Sequence, residues 1–223
     1  MILKFTDNRD PNSLASRMRA KRSLWFRSLV DGLPKPVTIL DVGGSLPVWE
    51  RLNFGDRQDV QITILNTEDQ VNEYQTSYSN ISFVVGDARD LRQYADRQFD
   101  LVHSNSVIEH VGGIDDMRRM AEEIRRVGKR YFVQTPNRYF PIEPHFVFPM
   151  FQFLPFNVQV YLVQHFDLGW FSRIPERQEA EEAVQGIRLI SRGQLELFFP
   201  EAEVIEERFA GLTKSLVAQK AWI

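Results

Sequence analysis

The sequence predicts an α/β fold in which a mostly parallel sheet carries helices on both faces. From Val37 onward, short apolar runs alternate with longer mixed segments, the order typical of strands that alternate with helices. A glycine-containing loop, Gly43 and Gly44, directly follows the first apolar run. Two later apolar runs flank a short turn at residues 210–213, which predicts an antiparallel hairpin.

Seven strands and several helices follow from these patterns. The predicted strands are residues 37–42, 61–66, 81–86, 99–104, 130–134, 203–209 and 214–220. Apolar residues at helical spacing predict helices over 13–30 and 115–127. An acidic helix is expected at 176–184, and Ser191, with Gln194 three residues later, predicts a capping box before 194–199.

The length of the sequence predicts a single domain. The 223 residues suffice for one well-buried core and are few for two. Within this domain, 1–223, we expect an N-terminal helical segment at 1–36 and an aromatic-rich insert at 139–190, after the fifth strand.

The composition excludes several classes of protein. A formal charge of −3 gives no overall basic field, so no nucleic-acid partner is expected. The basic group Arg17, Arg19, Lys21 and Arg22 is interpreted as a solvated helix face. Cysteine is absent, which permits a reducing or an oxidising compartment equally. Residues 1–12 lack the apolar core of a secretory signal, so we expect a cytoplasmic location, with membrane association left open.

The aromatic-rich insert has an unusual composition. Eleven aromatic residues lie between Tyr139 and Phe171, and residues 144–166 contain no Asp, Glu, Lys or Arg. Proline, glutamine and asparagine within this stretch argue against a membrane-spanning helix. Three interpretations remain open: ordinary core packing, a hydrophobic lid over a substrate, and contact of residues 144–166 with a membrane or partner.

The loop after the first strand predicts a nucleotide-binding site. Asp41, Gly43 and Gly44 lie where an open α/β sheet binds its ligand. The dinucleotide pattern GxGxxG fails, because Ser45 and Val48 occupy the later glycine positions. This disfavours a nicotinamide-dependent oxidoreductase; a simple tight turn remains the alternative.

Three segments together resemble the class I S-adenosylmethionine-dependent methyltransferases, especially the type 11 group. They are ILDVGG at 39–44, VVGDARDL at 84–91 and FDLVHSNSVIEHV at 99–111. The resemblance runs from Val37 onward and implies a Rossmann-like, mostly parallel seven-stranded sheet with an antiparallel C-terminal hairpin. It also implies S-adenosyl-L-methionine as the cofactor.

The resemblance assigns cofactor-binding roles to individual residues, namely Asp41, Gly43, Gly44, Asn66, Asp87, Ala88 and Asn105. Asp41 and the glycines would lie against the methionine portion. Asp87 would accept a hydrogen bond from the adenine amino group, with Ala88 in backbone contact, and Asn105 would line the site. The sequence departs from the family at Ser45 and Pro47, where glycine is usual, and at Asn66, where an acid usually binds the ribose; Glu68 is a candidate substitute.

The segment after the fifth strand supplies candidates for acceptor chemistry. Residues 135–145, TPNRYFPIEPH, follow the strand where this fold opens its cleft. His145 and Glu143 are candidates for acceptor binding or proton removal, and His110 is the next candidate. No HExxH or comparable cluster is visible, so no metal site is predicted.

The sequence therefore predicts methyl transfer to an oxygen or nitrogen of a small, hydrophobic or lipid-like acceptor. The alternative is a non-catalytic binding or scaffold protein with the same fold, located at a membrane surface through its aromatic insert.

Overall fold

The computed structural model describes residues 14–72 and 76–220, and its strands alternate with helices as predicted. The strands are β1 (Val37–Val42), β2 (Val60–Asn66), β3 (Ile81–Val85), β4 (Leu101–Asn105), β5 (Tyr131–Pro136), β6 (Ile142–Glu143), β7 (Phe148–Pro149), β8 (Ala202–Phe209) and β9 (Leu212–Lys220). The helices are α1 (Leu14–Asp31), α2 (Leu46–Arg51), α3 (Glu68–Asn72), α4 (Ile114–Val127), α5 (Phe156–His165), α6 (Arg177–Gln185) and α7 (Arg192–Phe198). Two 3₁₀ turns cover Ile108–His110 and Phe151–Phe153.

The main sheet has seven strands in the order β3-β2-β1-β4-β5-β9-β8. The first five of these are parallel, whereas β9 runs antiparallel to both β5 and β8. This confirms the predicted Rossmann-like sheet with its antiparallel final hairpin. Because the carboxyl ends of parallel strands share one edge, the loops after β1, β2, β4 and β5 meet there.

Helices cover both faces of the sheet, as predicted. On one face α1 and α2 contribute Phe26 and Trp49 to a buried cluster. On the other face Met117 of α4 and Leu195 of α7 belong to a second cluster. The apolar positions predicted for α4 are all buried: Met117, Met120, Ala121, Ile124 and Val127.

Local signals mark several element boundaries correctly. The Ser191 side chain caps α7, and Gln194 completes the capping box. The hairpin turn is shorter than predicted, because Ala210 (φ 49°) and Gly211 (φ 81°) alone connect the two strands. Two successive left-handed residues give the twist of a tight hairpin turn, so β9 begins at Leu212. Residues 1–13 of the predicted N-terminal segment lie outside the described residues.

The aromatic-rich insert has a small core of its own. Phe146 and Phe151 are buried with Val160 and Val163 of α5 and with Val184 of α6. Other apolar residues of the insert are exposed: Tyr139, Met150, Phe153, Phe156, Val158, Tyr161 and Phe166. Within the described residues no helix combines the length and the apolar character needed to cross a bilayer.

Candidate functional site

The first cavity at the carboxyl edge of the sheet has a volume of about 450 Å³. Four of the predicted cofactor-binding residues line it: Gly43, Asn66, Asp87 and Ala88. His110 lines the same cavity. The fold therefore brings together positions that are spread over β1, β2, β3 and the turn after β4.

Glycine is required in the loop after β1. Gly43 has φ 72°, and a Cβ there would lie 2.5 Å from Cγ2 of Val107. A Cβ on Gly44 would overlap the carboxylate of Asp41. Both glycines allow the loop to pack closely against Val107 and Asp41. Of the two, only Gly43 lines the cavity.

Asp41 supports this loop from the core. Its carboxylate is buried, and it accepts a 2.6 Å hydrogen bond from Nε1 of Trp49 and lies 2.7 Å from Nδ1 of His103. Both oxygens therefore have protein partners, and Asp41 lines neither this cavity nor the second one described below. The side chain points towards α2 and β4, and its contact with the methionine portion stays a prediction.

Asn66 also stabilises the loop after β1. Its amide nitrogen donates to the carbonyl of Gly44 at 3.0 Å, and its amide oxygen accepts from the backbone N–H of Thr67 at 2.9 Å. Asn66 lines the cavity where an acid is usual in the family, yet its polar atoms are already engaged. Glu68, the candidate substitute, is exposed at the start of α3.

Asp87 lies at the rim, paired with a cation. Arg89 donates to it through Nη2 at 2.7 Å and through Nε at 2.9 Å. These hydrogen bonds hold the pKa of Asp87 below its usual value. An ionised, half-exposed carboxylate keeps acceptor positions free for a ligand amino group.

A second cavity of about 360 Å³ opens beside the first. Asn105, Ser106 and Gln134 line it from the ends of β4 and β5. Asn105, predicted to line the cofactor site, thus faces this neighbouring cavity. The remaining wall is partly apolar, with Met18, Phe140, Ile142, Pro144 and Trp170.

Three cations line the same cavity: Arg19, Arg22 and Lys214. Glu207 pairs with Arg22 at 2.5 Å. Among the described residues Arg19 and Lys214 have no carboxylate within ion-pair distance. Burial, and then repulsion from Arg22, lowers the pKa of each. The sequence interpretation of Arg19 and Arg22 as a solvated face is therefore wrong, since α1 turns them towards the sheet edge.

His110 and His145 meet between the two cavities. Their Nε2 atoms are 3.1 Å apart, with His110 lining the first cavity and His145 the second. Glu143 holds His145 in place: one carboxylate oxygen lies 2.6 Å from its Nδ1, and the other accepts the backbone N–H groups of His145 and Phe146. The three residues predicted for acceptor chemistry thus form one contiguous group.

Glu109 completes this group, and sequence reasoning missed it. It is fully buried, with Thr135 donating to one oxygen at 3.0 Å; the other oxygen has no partner in the part of the chain that the structure describes. Burial raises the pKa of Glu109 to about 7. Burial also lowers the pKa of His110. For His145, burial is opposed by the hydrogen bond to Glu143 and by the negative charges of Glu143 and Glu109, which together raise the pKa. The only signal in the sequence was its place in the Glu109-His110 pair.

Comparison with known sequences identifies a family for the central part of the chain. Residues 49–131 match the family described as "Methyltransferase domain". Over 57 residues the chain is 37% identical to an uncharacterised protein of Mycobacterium tuberculosis (strain ATCC 25618 / H37Rv). That match spans 26% of this chain and only 20% of the length of the relative.

Solved structures share the fold over nearly the whole chain. The CurJ carbon methyltransferase superposes with a TM-score of 0.61 at 11% identity, covering 94% of this chain and 56% of that one. A SAM dependent methyltransferase from Aquifex aeolicus superposes with a TM-score of 0.55 at 13% identity, covering 99% of both chains. The chain thus matches the methyltransferase-domain family over residues 49–131, and its sheet has the fold of these solved methyltransferases.

Proposed function

We propose that the chain transfers the methyl group of S-adenosylmethionine to an oxygen or nitrogen of a small, largely apolar acceptor that carries an acidic group. One observation supports this most: the two cavities open side by side at the carboxyl edge of the sheet and meet at His110 and His145. A cofactor in the first cavity and an acceptor in the second would therefore lie next to each other.

The chemistry requires little from the protein. A lone pair of the acceptor attacks the methyl carbon, the carbon–sulfur bond breaks, and S-adenosylhomocysteine leaves as a neutral thioether. The cofactor carries the reactive group, so the protein mainly aligns the partners and excludes water. An acceptor hydroxyl or ammonium must also lose a proton, and His145, held by Glu143, is the candidate to receive it.

The acidic group on the acceptor is inferred from the charges of the second cavity. Arg19 and Lys214 lack carboxylate partners among the described residues and repel each other. A ligand carboxylate or phosphate would relieve this repulsion and form charge-assisted hydrogen bonds. The apolar wall at Phe140, Ile142 and Trp170 would accommodate the rest of the molecule.

Calorimetry with S-adenosylmethionine and S-adenosylhomocysteine tests the cofactor. We expect both to bind, and the absence of binding at millimolar concentration would refute the enzymatic proposal. Release of S-adenosylhomocysteine with hydroxy- and amino-substituted aromatic carboxylic acids, compared with their methyl esters, tests the acceptor. The acids should react faster; equal rates would contradict recognition of an acidic group.

A second candidate function is a membrane-peripheral scaffold without catalysis, and the exposed aromatic residues of the insert favour it. Phe153, Phe156, Tyr161 and Phe166 are each at least 40% exposed. Flotation with liposomes tests the membrane contact, whereas the calorimetry with S-adenosylmethionine distinguishes the two candidates, since a scaffold without catalysis needs no cofactor. A cytoplasmic location, with or without membrane association, remains our prediction for either function.

A further inference from the structure

Glu109, His110 and His145 offer three ligand atoms that all lie within 4.8 Å of one another. We propose that these residues form a binding site for a divalent transition-metal cation, placed between the two cavities. The sequence predicted no metal site because His145 is far from the other two along the chain. The fold brings them together, since the loop from β6 to β7 returns to the turn after β4.

The two imidazoles have suitable geometry for a shared cation. Their Nε2 atoms face each other at 3.1 Å. A tetrahedral ion with metal–nitrogen bonds of about 2.0–2.1 Å separates its ligand nitrogens by roughly 3.3 Å. Without a cation, one of the two rings must carry a proton on Nε2 to avoid placing two lone pairs against each other. A cation would take the place of that proton.

The ring nitrogen of His145 that faces away from His110 also has a protein partner. Nδ1 of His145 bonds to Glu143, which is buried and fixed by two backbone N–H groups. Burial lowers the pKa of His110, although the backbone of Gly186 acts to raise it. A carboxylate or carbonyl on the far ring nitrogen is the usual way in which proteins orient a metal-binding histidine. The ring of His145 is therefore held with its Nε2 directed at Nε2 of His110.

Glu109 supplies the negative charge. It is fully buried, and within residues 14–72 and 76–220 one of its carboxylate oxygens has no hydrogen-bond partner. An unsatisfied buried oxygen is costly for a folded protein. A cation bound to the imidazoles would attract this carboxylate and compensate for its burial.

The composition of the site selects the kind of metal. Two imidazoles and one carboxylate suit Zn²⁺ and neighbouring divalent transition metals, whereas Mg²⁺ and Ca²⁺ prefer oxygen ligands. Three protein ligands also leave coordination positions open. His110 is exposed at the first cavity, so an ion has a route into the site from solvent.

The role of the cation rests on the proposed function, although its binding does not. An open position facing the second cavity would take an oxygen of the acceptor, lowering its pKa and fixing it near the cofactor. In that case His145 contacts the acceptor through the cation rather than as a base.

The test is metal binding by the tag-free chain of 223 residues after treatment with a chelator. We expect calorimetry to show one Zn²⁺ per chain, and Co²⁺ to give a visible absorption spectrum of a nitrogen- and oxygen-ligated ion. His145→Ala and Glu109→Gln should each weaken Zn²⁺ at least tenfold; the second variant keeps the shape of the side chain. Glu143→Gln should weaken it about 10–100-fold, because Glu143 orients His145.

His165→Ala is the matched control, since His165 is exposed and its Nδ1 bonds only the carbonyl of Tyr161. It should leave Zn²⁺ binding unchanged. The proposal is overturned if no stoichiometric binding occurs, or if His145→Ala and His165→Ala affect it equally. Binding of S-adenosylhomocysteine by the metal-free chain is measured in parallel, so that a failed metal site and a failed methyltransferase are distinguished.

Discussion

The carboxylate of Asp41 lies 2.7 Å from Nδ1 of His103, and both side chains are buried beneath the loop that follows β1. Trp49 of α2 donates to the other oxygen of the carboxylate. A single acid thus ties the end of β1 to β4 and to α2. The loop that carries Gly43 and Gly44 rests on this arrangement.

Asp41→Ala should lower the free energy of unfolding by about 2–5 kcal/mol, because it leaves two buried donors without a partner. Urea denaturation followed by fluorescence measures the change. Asp115→Ala is the control, since Asp115 is an exposed acid on α4 paired with Arg118. Its effect should stay within about 0.5 kcal/mol, and a similar small loss for Asp41→Ala would contradict the role of the buried carboxylate.

Gly44→Ala should destabilise the protein by about 1–3 kcal/mol, the usual cost of forcing extra atoms into a packed site. The new Cβ would overlap the Asp41 carboxylate. Thermal unfolding provides the measurement. Gly193→Ala makes the matching variant, because Gly193 lies in α7 with no atom within 4 Å of a Cβ. That replacement should stabilise the helix by about 0.5–1 kcal/mol. If both variants changed the stability in the same direction, the packing argument would be refuted.

Asp87→Ala should weaken S-adenosylhomocysteine about tenfold or more, since a hydrogen bond to a charged acceptor contributes roughly 1.5–3 kcal/mol. Calorimetry measures the affinity. Asp90→Ala is a close control: Asp90 bonds Arg92 in the same way that Asp87 bonds Arg89, but it does not line the cavity. If both variants bind equally well, Asp87 has no contact with the adenine.

Lys214→Gln should raise the KM for an acidic acceptor by about tenfold with a smaller change in kcat, because it removes a contact made equally in ground and transition states. Steady-state rates of S-adenosylhomocysteine formation measure both constants. Lys21→Gln, an exposed change on α1 near Arg19, should alter neither. A loss confined to kcat would show that Lys214 acts on the reaction rather than on acceptor binding.

Replacement of Phe153 and Phe156 by Ser tests the membrane contact of the insert. Both side chains are 40% exposed, so the double variant should keep its fold while losing flotation with anionic liposomes. Leu197→Ser, at a 79% exposed position on α7, controls for general loss of apolar surface. If the parent chain does not float, or if the double variant floats equally well, the insert is not a membrane contact.

Much of the fold was predictable because its signals are local. The apolar spacing of α4, the Ser191 capping box and the alternation of strands and helices all depend on neighbouring residues. The resemblance in sequence assigned cofactor binding to Gly43, Asp87 and Ala88, which remains a prediction; the structure brings these residues together around one cavity.

The second cavity and the metal-binding group were not predictable in the same way. Arg19 and Lys214 belong to elements that are distant along the chain, and only the position of β9 beside β5 brings them together. Glu109 and His145 likewise meet through a loop whose path no periodicity specifies. For Asp41, the family motif suggested a contact with the ligand. Its packing partners, Trp49 and His103, could not be identified from the sequence.

The position of β9 between β5 and β8 has a consequence for synthesis on the ribosome. One wall of the second cavity comes from α1 and another from Lys214 and Ser215 in β9, which is translated long after α1. Pairings between segments so distant in sequence form slowly. All residues that line the first cavity are synthesised by the time Gly112 is added, whereas the second cavity is complete only after β9 has paired with β5.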